Sequence, residues 1–242
     1  MKKLPLFFLF VLVFSVHLKV NAQSTWAGWL ATFNTVKTGK KTSIHSDFQY
    51  RSIPSMKHTQ SLLLRAGLNY HLSKSWVVTA GYAFIRNRRT VSNMSGHITE
   101  HRIWQQVVHT HRLKPLYITH RLRLEQRFIG KPVVDNNDLT TDGYAYANRI
   151  RYFIRNVLPL QKQQAFEKGP FVALQNEVFL NFGNKANVNG EFFDQNRLYL
   201  AVGFRTCPQF DIEAGAMLHS VNPRGGEVVN THVVQLAGYL RL

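Results

Sequence analysis

The sequence contains one cysteine, thirteen acids against thirty lysines and arginines, and, beyond residue 23, no apolar run long enough to cross a bilayer as a helix. Each shortage removes a class of protein. A single thiol far from the amino terminus provides neither an intramolecular disulfide nor an amino-terminal lipid anchor on cysteine. With little histidine or acid nearby, Cys207 reads as an unpaired thiol in the turn before Pro208. A transmembrane helix needs about 18 or more consecutive apolar residues, so the chain after residue 23 is secreted, periplasmic or membrane-spanning by strands. There is no glycine loop to cradle phosphates, which argues against nucleotide chemistry. The shortage of acid leaves a formal charge of +17. Nucleic-acid tails carry their cations in runs, whereas here most arginines stand singly at every second position, so no nucleic-acid partner is expected.

The first residues read as a leader. MKK is a basic start, LPLFFLFVLVFSVHL is an apolar stretch, and Val20-Asn21-Ala22 before Gln23 has the small-residue spacing of a signal-peptidase site. This predicts a leader over residues 1–22 and an exported domain over 23–242. Loss of Lys2, Lys3 and Lys19 with an acid-free leader would lower the net charge from +17 to +14.

What is abundant is alternation. In RLRLEQRF, residues 121–128, Arg121, Arg123, Glu125 and Arg127 alternate with Leu122, Leu124, Gln126 and Phe128. Comparable patterns begin near Thr42, Leu62, Trp76, Val172, Leu198 and Phe210. A period of two is a strand period. Residues 149–158 also fit a helical stripe through Ile150, Phe153, Ile154 and Val157, and their strand neighbours favour a strand. The segments run to about 10–14 residues, against about 5–6 in ordinary soluble strands and about 9–11 in a tilted membrane-crossing strand. Trp76 opens its segment while Phe84, Phe128, Phe182 and Phe204 close theirs, the positions of an aromatic girdle.

Connections alternate as well. Residues 52–60, 87–98, 130–142, 183–193 and 220–229 read as long polar loops, and 37–40, 73–75, 113–115 and 206–208 as short turns, with 159–169 of middling length on the short side. This predicts an all-β, transmembrane, antiparallel up-and-down barrel of about ten strands, with twelve as the alternative. The segment from Trp26 to Val36 also looks strand-like, but an eleventh strand does not fit an even count.

In such a barrel the leucines face lipid and the charged face lines the lumen. Arg121, Arg123, Arg127, Arg149, Arg151, Arg155, Arg197 and Arg205 are expected inside with Glu100, Arg102, Glu125, Glu177, Asp211 and Glu213. Either these groups pair across strands and fill the barrel, or surplus arginine leaves an anion-favouring channel. In the hairpin joining residues 99–112 to 116–129, Glu125 would balance one or two arginines.

EHRIWQQV (100–107), RLRLEQRF (121–128), NRIRYFIR (148–155), NEVFLNFG (176–183), DQNRLYLAVGF (194–204) and the terminal QLAGYLRL (235–242) resemble, in the same order, an outer-membrane barrel family of Gram-negative bacteria whose function is unknown. The resemblance covers nearly all of the chain after the leader. It implies a porin-like closed barrel and supplies no catalytic residue. Glu100, Arg102, Arg127, Arg149, Arg151, Asn196 and Arg197 occupy the motif positions. Val234, Leu236, Gly238, Leu240 and Leu242 resemble the final-strand signal read by the barrel insertion machinery, with Leu242 in place of the usual terminal aromatic.

Other chemistry is thinly represented. His109, His111 and His120 can share one face, yet no carboxylate accompanies them, and no metal is expected. Ser61, His71 and His219 belong to no nucleophile motif. DNNDLTTD, residues 135–142, lacks the spacing of a calcium loop and reads as solvated surface. Arg86, Arg88 and Arg89, in an expected outer loop, are candidate contacts for lipopolysaccharide phosphates. The expected function is a structural or small porin-like barrel without a cofactor. The alternatives are a lipid-modifying hydrolase or acyltransferase, and a surface binding protein acting through residues 87–98 and 130–142.

Overall fold

Because neighbouring residues of a strand point to opposite sides, alternating segments that join edge to edge separate two surfaces. The computed structural model describes residues 25–136 and 138–242; the leader expected over residues 1–22 lies outside them. Eleven strands form one closed sheet. They are β1 Thr25–Lys37, β2 Thr42–Ser52, β3 Thr59–His71, β4 Trp76–Val91, β5 Met94–Leu113, β6 Leu116–Asp135, β7 Asp138–Pro159, β8 Gly169–Phe182, β9 Phe193–Cys207, β10 Phe210–Val221 and β11 Val229–Arg241. Residues 149–158 are strand, within β7.

The all-β barrel read from the alternation is what forms, with a strand count between ten and twelve. All neighbours are antiparallel except the closing pair, β1 and β11, which run parallel from Thr25↔Thr231 to Thr35↔Arg241. An even count is required only when the seam is antiparallel. The parallel seam takes in the segment from Trp26 to Val36, which the alternation left without a place, and pairs both open edges of the sheet. Backbone hydrogen bonds from Leu242 N to Thr35 O (2.8 Å) and from Lys37 N to Leu242 O (2.6 Å) carry it to the carboxyl terminus.

One end of the barrel carries the connections 38–41, 72–75, 114–115, 160–168 and 208–209; the other carries 53–58, 92–93, 136–137, 183–192 and 222–228. At the second, taller end, the long loops expected over 87–98 and 130–142 are instead mostly strand. β4 and β5 turn through Ser92 and Asn93, both at positive φ (49° and 64°), the geometry of a tight hairpin. Their mostly polar composition resembles that of a loop, and their apolar residues Ile98 and Leu139 are buried only where the two hairpins meet. The projecting hairpins β4–β5 and β6–β7 lean on each other, with Leu139 packed where a Cβ on Gly96 would stand (2.7 Å).

Inside, large aromatic side chains cross to strands that carry glycine. Trp104 of β5 is fully buried and lies over Gly67 and Gly81 of β3 and β4, where an added Cβ would meet its ring. Gly81 and Ala83, small residues on the inner face of β4, are thus the seat of Trp104. A second cluster joins Trp29, Phe171, Tyr199, Met217 and Phe166. Phe166 comes from the connection 160–168, which folds inward: its N–H donates to Tyr117 Oη (2.9 Å), and Arg205 donates to its carbonyl (2.7 Å). That connection therefore adds Phe166 to the aromatic side chains of Tyr117 and Phe171 at the short-turn end.

Candidate functional site

The barrel interior gathers buried charge around a few carboxylates. Glu125 is 1% exposed and accepts from Arg149 Nη2 (2.6 Å) and Arg151 Nη1 (2.6 Å), with Arg102 at 3.6 Å. Glu100 accepts from Arg102 Nε (2.7 Å) and Arg127 Nε (2.6 Å). Glu177 accepts from Arg151 Nη2 (2.6 Å) and Arg121 Nη2 (2.7 Å), and Asp194 takes the remaining arm of Arg149 (2.8 Å). These bonds join strands β5 to β9 into one network.

Cross-strand register accounts for the arrangement. Arg102 stands directly opposite Arg127, and Arg123 opposite Arg151, placements that repel on their own. Carboxylates on the diagonals offset them, each shared by two guanidinium groups whose planar forks reach in two directions. Arg123, also 1% exposed, is the outlier. It lies 4.0 Å from Glu125, stacks over Trp104 at 4.4 Å and donates twice to Gln106 Oε1 (3.0 and 2.7 Å). From Gln106 the hydrogen bonds continue through Thr79 and Asn69 to Ser43 and His71.

Two smaller sets lie apart. Arg155 and Tyr239 bond Glu213. Arg205 holds Asp211 through Nε (2.7 Å) and Nη2 (2.9 Å), with Arg241 also on Asp211 (2.8 Å). The structure thus places Glu100, Arg102, Arg121, Arg123, Glu125, Arg127, Arg149, Arg151, Arg155, Glu177, Arg197, Arg205 and Glu213 on the inner side, and Arg197 is the member without a carboxylate partner among the described residues. Its register partner is Glu177, which bonds Arg121 and Arg151 instead.

Several interior residues did not stand out in the sequence. Arg65 and His45 bond Asp47 (2.9 and 3.2 Å), Arg51 lies over Trp29 (4.1 Å), and Asp194 begins β9. The alternation in β2 and β3 carries the first four on the face opposite the leucines, which was the available signal. Asp194 gave none, because it stands where strand and loop meet.

The remaining candidates disperse. Arg86, Arg88 and Arg89 lie in strand β4, not in a loop, so they alternate between faces, and Arg89 lines the interior cavity. Ser61 donates to Asn87 (2.7 Å) and His219 bonds Gln195 (3.2 Å). His71 meets Ser43 (2.9 Å), but among the described residues no carboxylate orients its ring. His109, His111 and His120 are stacked, with ring centroids 5.2 to 6.4 Å apart. They present faces rather than converging nitrogens. Asp138 accepts from the Leu139 N–H (2.8 Å) within the β6–β7 hairpin.

A family model, described as protein of unknown function (DUF2490), matches residues 26–230. The chain belongs to the DUF2490 family. No curated protein and no solved structure matches it. The match spans the barrel from β1 into β11, so the Arg–carboxylate interior belongs to the DUF2490 region of the chain.

Proposed function

We propose that this DUF2490 protein is an outer-membrane barrel of a Gram-negative bacterium whose interior is held shut by ion pairs, so that it serves as a closed structural or ligand-holding barrel rather than a general pore. The observation that carries this reading is the inversion of its two surfaces. Leu30, Leu64, Leu68, Leu122, Leu200, Val202 and Leu236 are among the exposed apolar side chains, while Arg123, Glu125, Arg149 and Arg151 are buried. A soluble barrel has the reverse arrangement, because hydrocarbon rather than water is the solvent that favours exposed leucine.

Aromatic placement supports it. Phe84, His101, Phe128 and Tyr146 are successive register partners across β4 to β7, and Trp76 stacks on His109 (4.2 Å) nearer the other end. Phe84 and Trp76 are separated by about 27 Å of strand, and less across a tilted one, comparable with an apolar band of about 25 Å. The tall end would face outward, the short turns the periplasm, and β11 would carry the insertion signal. In that placement Arg86 and Arg88 are offered to lipopolysaccharide phosphates.

Closure has two supports. The network around Glu125 crosses the waist, and the connection bearing Phe166 folds inward at the periplasmic end. Refolded protein in a planar bilayer under a salt gradient should therefore give no steady conductance, and removal of residues 161–168 alone should leave it closed because the ion-paired waist remains. Steady conductance from the intact, folded chain would overturn the closed barrel in favour of a small porin.

A further inference from the structure

A cavity opens into the tall half of the barrel. It holds about 340 Å³, with Pro54, Gln60 and Arg89 near its rim and Arg51, Arg197 and His219 along its wall. Arg51 and Arg197 both stack on Trp29, at 4.1 and 5.1 Å from its ring centroid, and Arg197 also lies 4.6 Å from the Phe179 ring. Arg197 is only 8% exposed. Neither has a carboxylate partner among the described residues. Each gives one arm to a neutral amide, Arg51 to Gln49 (2.6 Å) and Arg197 to Gln195 (3.2 Å), and the Nε of each is buried with no acceptor.

Two cations facing one cavity, stacked on the same indole, with no carboxylate partner among the described residues and each with a buried Nε that meets no acceptor, form an incomplete arrangement. Elsewhere in this interior each buried arginine has a carboxylate or, for Arg123, two bonds to one amide with a carboxylate 4.0 Å away. A buried guanidinium without an anion is costly unless something else supplies one. Its planar fork matches the oxygens of a carboxylate or phosphate. Because the cavity lies inside the barrel wall, the anion is a free solute rather than a lipid headgroup.

We propose that Arg51 and Arg197 form a binding site for a small solute bearing a carboxylate or phosphate, seated over Trp29 at the tall end of the barrel. Gln49, Gln195 and His219 position the two guanidinium groups. The assignment builds on the closed barrel of the preceding section, since a floor sealed by ion pairs makes the cavity a cup and not a passage. It does not depend on the membrane orientation.

The test is titration of the refolded chain in detergent–lipid micelles with inorganic phosphate and, separately, benzoate, at constant ionic strength, following tryptophan fluorescence. The expected result is a saturable change, with affinity lowered about tenfold or more in R51Q and in R197Q and unchanged in R112Q, whose arginine lies outside the cup. Both variants should keep the circular dichroism and heat-modifiable migration of the parent. A folded protein with no saturable response to either anion, or a folded R51Q/R197Q double variant that binds as tightly as the parent, overturns the proposal. Conductance of the intact chain together with saturable binding would discard the closed barrel and leave the site standing.

Discussion

The β5–β8 wall and the wall formed by β9, β10, β11, β1 and β2 around the seam treat buried arginine differently. In the first, Glu100, Glu125 and Glu177 are each shared by at least two guanidinium groups within hydrogen-bond distance. In the second, Asp211 at the short-turn end still holds Arg205 and Arg241, but at the tall end Arg51 and Arg197 meet Trp29 and two neutral amides. The few acids of the chain are spread around the interior so that most buried arginines have one within reach. Arg51 and Arg197, left without a carboxylate partner among the described residues, line the cavity in the tall half. The difference separates charge that holds the fold from charge available to a ligand.

The sharpest way to break the comparison is to remove the hub. Glu125→Gln leaves Arg149, Arg151 and Arg102 short of their shared anion and should cost about 3–5 kcal/mol, read as a large fall in the midpoint of urea unfolding in lipid micelles. Glu125→Arg, which adds a cation to the same cluster, should abolish heat-resistant migration. An unaffected midpoint in Glu125→Gln would mean that the two walls do not differ as described.

A smaller change should make the seam wall resemble the other. Gln195 already accepts from Arg197 and bonds His219, so Gln195→Glu would supply the missing carboxylate. The expected outcome is stabilisation of about 1.5–3 kcal/mol together with loss of phosphate binding. Stabilisation with binding retained would detach the cavity from the surplus charge.

The smallest effect belongs to the outer surface. Gln105 and Gln126 face outward and exchange reciprocal amide hydrogen bonds of 3.2 Å. Hydrogen bonds in a membrane average about 0.6 kcal/mol, so the double change Gln105→Leu and Gln126→Leu should shift the unfolding midpoint hardly at all. A loss of several kcal/mol would show that this face does not meet hydrocarbon.

The legible part of the fold came from period. Strand identity, the two faces and the side on which Arg123 and Glu125 lie follow from alternation in RLRLEQRF and its repeats. The hairpins that join β4 to β5 and β6 to β7 were hidden because their mostly polar residues carry no sustained alternation, and Ile98 and Leu139 find cover only in tertiary packing. Of the candidate site, the arginines of β6 and β7 were visible, while Arg51 was one residue in a polar face with nothing to distinguish it. Phe166 was hidden as well, since nothing in a polar connection marks the side chain that will turn inward.

The sequence by itself determined an all-β chain with an apolar face and a charged face, because a period of two is a property of neighbouring residues. Only the tertiary structure decided that eleven strands close through a parallel seam, that Glu177 bonds Arg121 and Arg151 instead of its register partner Arg197, and that Arg51 and Arg197 meet over Trp29. Those outcomes depend on strands far apart in the chain being brought together around one axis, and on which guanidinium groups reach a shared carboxylate.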